Sequence, residues 1–197
     1  MLEVRGVSCS RNDEPLFSDL SFKVEEGTAL QIRAANGVGK TTLLKTIAGL
    51  LTPDVGQIIT PQPLLYIGHK TNLHPALTPI QNLEFLCAMS TPWLDITRAQ
   101  LDDALDFVGL NAQRDILCED LSAGQCQRVN LARMHLCSCK LWILDEPLVH
   151  LDSNSKDLFL KICSTHLAAA GLLLLATHND LNLTDYEINT LHLENYA

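Results

Sequence analysis

Residues 34–42 read Ala34-Ala35-Asn36-Gly37-Val38-Gly39-Lys40-Thr41-Thr42, and no other stretch of the chain restricts its fold so sharply. The spacing is that of G-x-x-x-x-G-K-[ST], with alanine at the first position. Glycines let a backbone curl until successive N–H groups point into one concavity, which holds phosphate oxygens. Lys40 would then reach the β- and γ-phosphates, and the Thr41 hydroxyl would hold Mg²⁺. A helix starting near Lys40 adds its N-terminal dipole to the same anion site. The methyl group at Ala34 fits such a loop only where φ is negative.

The flanks have the order the loop requires. Residues 30–33 read as a short strand, and 42–50 carry apolar residues at helical spacing. Further short strands are expected at 2–7, 20–24, 57–60 and 64–68, with polar residues 8–15 as a connection and Leu16-Phe17 leading into the second strand. From about 78 to 137 the reading is mostly helical, with segments at 82–86, 99–108 and 122–137; another helix is expected at 154–170. Residues 141–144 and 172–176 are continuous apolar runs, which suit strands buried on both faces of a parallel sheet.

A length of 197 residues, 47% of them hydrophobic, suits one domain with a substantial core. The net charge of −9 and the lack of clustered Lys and Arg argue against a nucleic-acid surface. The longest apolar run, 171–176, is far below the about 20 residues that cross a bilayer as a helix. Residues 1–5 do not read as a secretory signal, so a cytosolic chain is expected, with room for a membrane partner. Seven cysteines form no C-x-x-C pair. The one close pair, Cys137-Ser138-Cys139, has no second pair to complete a zinc site, so reduced thiols are expected.

Residues 141–146 form an apolar strand that ends in two carboxylates. Ligands of parallel α/β sheets gather at the carboxyl ends of strands. Asp145 would hold Mg²⁺, and Glu146 would lie near the γ-phosphate and polarise water. Leu121-Ser122-Ala123-Gly124-Gln125 opens a helix, with Ser122 as N-cap and Gln125 three residues later. The N–H groups of that helix start form a second phosphate cradle. One nucleotide does not need two cradles in one chain, so a homodimer is expected, with one copy's loop meeting the other's helix end.

In their order and approximate spacing, the phosphate loop, residues 121–125, the Asp145-Glu146 strand, Leu151-Asp152 and Thr177-His178 resemble the nucleotide-binding domain of ABC transporters. The resemblance covers nearly the whole chain. It implies an α/β P-loop NTPase with a RecA-like parallel core, an N-terminal antiparallel β subdomain and a helical subdomain inserted at about 70–137, all within a single domain spanning 1–197. It implies a transport-coupled ATPase in which ATP and Mg²⁺ are bound. Residues 34–42 would bind the phosphates, and Ser122, Ala123, Gly124 and Gln125 would form the signature motif, with Ala123 in place of the usual glycine. Residues 148–152 look like the segment that contacts the partner copy. His178 looks like the histidine that contacts the γ-phosphate, and it joins Glu146 and Lys40 as a catalytic candidate. His69 stands where most members carry glutamine and joins Thr41 and Asp145 as a metal candidate. Arg11 stands where an aromatic ring usually meets adenine; a guanidinium can stack on a flat π-system.

The stretches 9–11, 16–22, 66–69, 121–125 and 141–147 are similar to those of one group, the ATP-binding subunits of bacterial cytochrome c maturation (the CcmA group of haem exporters). That likeness implies an integral membrane partner of the CcmB type, other cytochrome c maturation proteins, and a peripheral place on the cytoplasmic face of the bacterial inner membrane. It implies ATP hydrolysis coupled to haem export or haem-chaperone release. No Cys-x-x-Cys-His or other haem-attachment pattern occurs. Ala34, Ala123 and His69 keep an alternative open: an ATP-gated dimerising regulatory subunit with little turnover. A repair or translation ATPase of the same fold is the third reading. It is opposed by the acidic balance and by the lack of coiled-coil insertions.

Overall fold

The computed structural model describes all residues except 91–94, 179–182, 184, 187 and 197. The chain begins with β1 (Leu2–Arg11), β2 (Glu14–Val24) and β3 (Ala29–Arg33), then α1 (Lys40–Ile47), β4 (Val55–Ile59) and β5 (Leu64–Ile67). Three helices follow: α2 (Pro79–Ser90), α3 (Arg98–Phe107) and α4 (Ala123–Leu136). The last elements are β6 (Leu141–Asp145), α5 (Ser153–Ala168), β7 (Leu172–Ala176) and β8 (Ile188–His192), ending in a short 3-10 turn at Leu193–Tyr196.

Five strands form a parallel sheet in the order β5-β6-β7-β3-β8. β7 is apolar at every position and β6 at all but its last, Asp145, because both faces of the sheet are covered. On β6, Leu141 and Ile143 enter one core while Trp142 and Leu144 enter the other. On β7, Leu172, Leu174 and Ala176 share the first core, and Leu173 and Leu175 the second. The first core also takes α1 and the inner face of a three-stranded antiparallel sheet ordered β2-β1-β4. The second takes residues of α2, α3, α4 and α5.

The expected connection at 8–15 is in fact strand. β1 runs to Arg11 and β2 begins at Glu14, with Asn12 (φ 52) and Asp13 (φ 64) as a two-residue turn. Two successive positive-φ residues match the right-handed twist of a hairpin. The strand ends are polar because this tip is exposed, so no apolar alternation marks them. The stretch 78–137 is less helical than its composition suggests. Between α3 and α4 it holds only the short turns Asn111–Gln113 and Cys118–Asp120, and residues 91–94 lie outside the described set. β8 was not expected; only Leu191 of its five residues is buried, so it lacks the apolar signature.

Candidate nucleotide-binding site

β3, β5, β6 and β7 are parallel, so their carboxyl ends meet at one edge of the sheet. β3 delivers the loop 34–39, β5 delivers Gly68-His69, β6 ends on Asp145-Glu146, and β7 leads into Thr177-His178.

Gly39 is the N-cap of α1 at φ 110, and Gly37 lies at φ 91. Both are backbone conformations that side chains disfavour. A Cβ on Gly39 would also stand 3.2 Å from Leu16 Cβ, so β2 packs directly beneath the loop. Ala34 is buried in the core beside α1 and is absent from the positive-φ residues. Its methyl is therefore a packing group, and the condition set by the sequence is met. Ala35, Asn36 and Gly37 are exposed, Val38 packs partly against the core, and Thr42 is half-buried. Lys40 folds back on the loop, its Nζ donating to the carbonyls of Ala34 (2.7 Å) and Ala35 (3.1 Å).

Two further relationships tie the loop to the strand ends. Thr41 Oγ1 donates to Asp145 Oδ2 at 2.7 Å. His178 Nε2 lies 3.2 Å from Asn36 Oδ1 and 3.4 Å from Glu146 Oε1. Glu146 itself adopts φ 52, an unusual conformation for a side-chain-bearing residue, and its N–H donates to Ala176 O at 2.8 Å. Strained backbone of this kind clusters where a side chain must be aimed. A cavity of about 360 Å³ adjoins these groups, lined by Thr41, Lys45, Tyr66, His69, Asn72 and Asp145 among others. Burial, and then the Asp145 carboxylate, push the Tyr66 phenol up to about 12, so it remains a neutral donor at physiological pH. A hydroxyl and a carboxylate within hydrogen-bond distance form a hard oxygen pair, and that donor chemistry fits Mg²⁺.

The second cradle is built differently. Ser122 and Gln125 form a capping box: Ser122 N–H donates to Gln125 Oε1 at 2.9 Å, and Gln125 N–H to Ser122 Oγ at 3.2 Å. α3 begins with the same box from Thr97 and Gln100, so the box alone is ordinary helix capping. Ala123-Gly124 carries the additional information. A Cβ on Gly124 would stand 3.0 Å from the carbonyl of His150, so α4 starts in close contact with the segment after Glu146. Gln127 Nε2 donates to Pro147 O at 2.9 Å and strengthens that contact. Asp152 then caps α5 by accepting from Ser155 N–H at 2.8 Å, and the Ser155 side chain, followed by that N–H, holds its carboxyl below the usual range.

Among the described residues, no hydrogen bond joins Ser122, Ala123, Gly124 or Gln125 to residues 34–42. Arg11 stands exposed at the hairpin tip beside its register partner Glu14, likewise unbonded to the loop. The structure brings together Asn36, Lys40, Thr41, His69, Asp145, Glu146 and His178, and leaves Arg11 and the signature residues apart from them. One participant escaped the sequence reading. Glu194 Oε1 accepts from Ala35 N–H at 2.6 Å, from a C-terminal turn that no motif marks.

Known proteins identify the family. The family model described as "ABC transporter" matches residues 17–149. The cytochrome c biogenesis ATP-binding export protein CcmA of Aliivibrio fischeri is 39% identical, over 98% of this chain and 99% of that protein. Its counterpart from Escherichia coli O157:H7 is 38% identical, over 98% and 96%. An ABC transporter ATP-binding protein from Pyrococcus furiosus superposes with a TM-score of 0.83 at 25% identity, covering 100% of this chain and 98% of that one. A dimeric ATP-binding cassette in a post-hydrolysis state with ADP and Pi has the same fold, with a TM-score of 0.82 at 20% identity over 98% and 94%. The chain belongs to the ABC transporter family, within the group of cytochrome c biogenesis ATP-binding export proteins.

Proposed function

We propose that this chain is the ATP-binding and ATP-hydrolysing subunit of an ABC exporter that serves cytochrome c biogenesis. The observation that carries the reading is the convergence of Asn36, Glu146 and His178 beside the Thr41–Asp145 pair. ATP enters on the phosphate loop, where Lys40 exchanges the carbonyls of Ala34 and Ala35 for β- and γ-phosphate oxygens. Thr41 and Asp145 would hold Mg²⁺, with His69 on the same cavity wall, and the ion would supply positive charge against the phosphates. Glu146 accepts a proton from the attacking water as the bond to the leaving phosphate oxygen breaks. His178, steadied by Asn36, keeps a ring nitrogen towards the γ-phosphate.

Ser122, Ala123, Gly124 and Gln125 act in trans. They sit apart from their own chain's loop, and two copies placed head to tail bring each signature segment to the other's nucleotide. Arg11 offers a guanidinium face to adenine. The pair of cassettes opens and closes a CcmB-like integral membrane subunit, alongside other cytochrome c maturation proteins, at the cytoplasmic face of the bacterial inner membrane. The work done there is haem export or release of a haem chaperone. Among the described residues, no helix is long and apolar enough to cross a membrane, which fits a peripheral subunit. The low-turnover reading is not favoured, because Ala34 packs into the core without disturbing the loop.

The deciding experiment uses Glu146→Gln. It is expected to bind ATP as the parent does and to release phosphate roughly 10²–10⁴-fold more slowly. Unchanged turnover, or parent turnover that survives Lys40→Ala, would overturn the mechanism. Co-purification from membranes with a subunit unrelated to cytochrome c maturation would overturn the assignment to that system.

A further inference from the structure

Away from the candidate nucleotide site, a second cavity of about 440 Å³ opens where the end of α4, the start of β6 and one face of α5 meet. ATP hydrolysis uses none of its chemistry. Cys137 is the C-cap of α4 and stands half-buried on the cavity wall, while Cys139 is buried just before β6. A hydrogen bond of 2.8 Å joins their sulfurs. Among the described residues no three His, Cys, Asp or Glu side chains could hold a metal ion, which separates this pair from a metal centre.

Arg133 lies one turn earlier on α4, 9% exposed. Its Nη2 donates to Ser90 Oγ at 2.6 Å, and its buried Nε has no hydrogen-bond partner. The thiols of Cys137, Cys87 and Cys139 face its charge. A buried guanidinium in such surroundings favours an anion beside it, and a thiolate is the anion within reach. When the pair loses a proton, Cys139 donates its S–H to the Cys137 sulfur. That hydrogen bond, with a smaller contribution from Arg133, outweighs burial and holds the Cys137 thiol below its ordinary range, while Cys139 is held far above it. Burial pushes Cys87 and Cys118 up to about 11. A half-buried thiol that ionises more readily than its buried partner divides the work as thiol–disulfide exchange requires.

We propose that Cys137 and Cys139 form a thiol–disulfide exchange site that takes small anionic disulfides, with Cys137 as nucleophile and Cys139 as resolving thiol. Lys140 and Lys161 line the same cavity and supply cations for the carboxylates of such a ligand. The Cys137 thiolate attacks one sulfur of the incoming disulfide. That S–S bond breaks, and the first thiol leaves with a proton from solvent. Cys139 then gives up its proton and attacks Cys137 Sγ in the mixed disulfide, releasing the second thiol. In sum, one small disulfide is reduced to two thiols while the protein dithiol is oxidised to a disulfide. The resulting bond would lie in the link between α4, which begins at Ser122, and β6, which ends at Asp145.

Glutathione disulfide is the probe, applied to the reduced full chain at neutral pH, followed by alkylation, intact mass measurement and tryptic mapping. Peptide 134–140 contains both sulfurs and is expected to lose two hydrogen atoms and resist alkylation, while Cys163 remains a thiol. Cys139→Ser is expected to stop with one glutathione on Cys137, and Cys137→Ser to give neither product on this peptide. The parent protein alone suffices to overturn the proposal. It fails if peptide 134–140 stays fully alkylated while Cys126 is glutathionylated, if a glutathione adduct persists on Cys137, or if Cys137 pairs with Cys87.

Discussion

The carboxylate of Glu194 holds the backbone N–H of Ala35 at 2.6 Å, so the last turn of the chain is fastened to the phosphate loop. An ionised acceptor makes a stronger hydrogen bond than a neutral one. Because Ala35 is exposed, water can replace part of what is lost. Glu194→Ala is expected to weaken ATP binding by roughly 3- to 10-fold, within the range of a partly solvated charged hydrogen bond. Glu194→Gln keeps an acceptor and should lose less. A fluorescent-nucleotide titration ranks the three proteins. Tighter binding by the alanine variant would mean that the carboxylate competes with phosphate instead of supporting the loop.

The Thr41–Asp145 hydrogen bond closes the position in which Mg²⁺ is expected. Asp145→Asn leaves a weaker, neutral ligand at that point. In the parent, chelation of Mg²⁺ should reduce ATP affinity and abolish phosphate release. In Asp145→Asn, affinity should respond much less to chelation. Calorimetric titrations with and without chelator measure this, and an equal response in both proteins would remove Asp145 from the metal site.

At Gly124 the contact is steric. An added Cβ would meet the His150 carbonyl at 3.0 Å, closer than ordinary packing, and the opposing group is backbone. Gly124→Ala should therefore cost about 1–3 kcal/mol of stability, as overpacking does, despite the better helix propensity of alanine. Denaturant unfolding provides the number. A variant as stable as the parent would mean that the close approach relaxes freely.

Stability in acid should depend on Glu3. Arg5 Nη2 and Lys23 Nζ contact its carboxylate at 2.6 and 3.0 Å, and these two hydrogen bonds hold it at about 2 against an ordinary 4.5. A carboxyl held down in the folded state contributes stability that is fully present above its unfolded value and lost as pH falls through the folded one. The parent should thus lead Glu3→Gln in denaturant midpoint above pH 4.5, and the lead should shrink towards pH 2. A lead that is constant across that window would assign the difference to packing.

Most of the candidate nucleotide site was legible because its signals are local. Gly37, Gly39, Lys40 and Thr41 lie within five positions, and the spacing reflects how a backbone wraps a phosphate. The runs 141–144 and 172–176 announced strands covered on both faces, and the core confirms both. Signals failed where polarity stopped tracking structure. The hairpin tip at Ser10 to Pro15 is exposed strand, and β8 is mostly exposed, so neither offers an apolar pattern. Ser122 and Gln125 illustrate a third case: the capping box was readable, but its likeness to the α3 box appears only once both helices are seen.

By itself, the sequence determined the phosphate loop, the paired carboxylates, the helix start at Ser122 and the family they point to. These depend on backbone geometry and side-chain chemistry over a few neighbouring residues. Tertiary structure alone decided which of them meet. Asn36 and His178 are brought to Glu146, Glu194 reaches Ala35 from the far end of the chain, and Gly124 is pressed against His150. Such contacts join residues whose separation along the chain carries no periodic signal. They exist because parallel strands, added to the sheet out of chain order, place their carboxyl ends side by side.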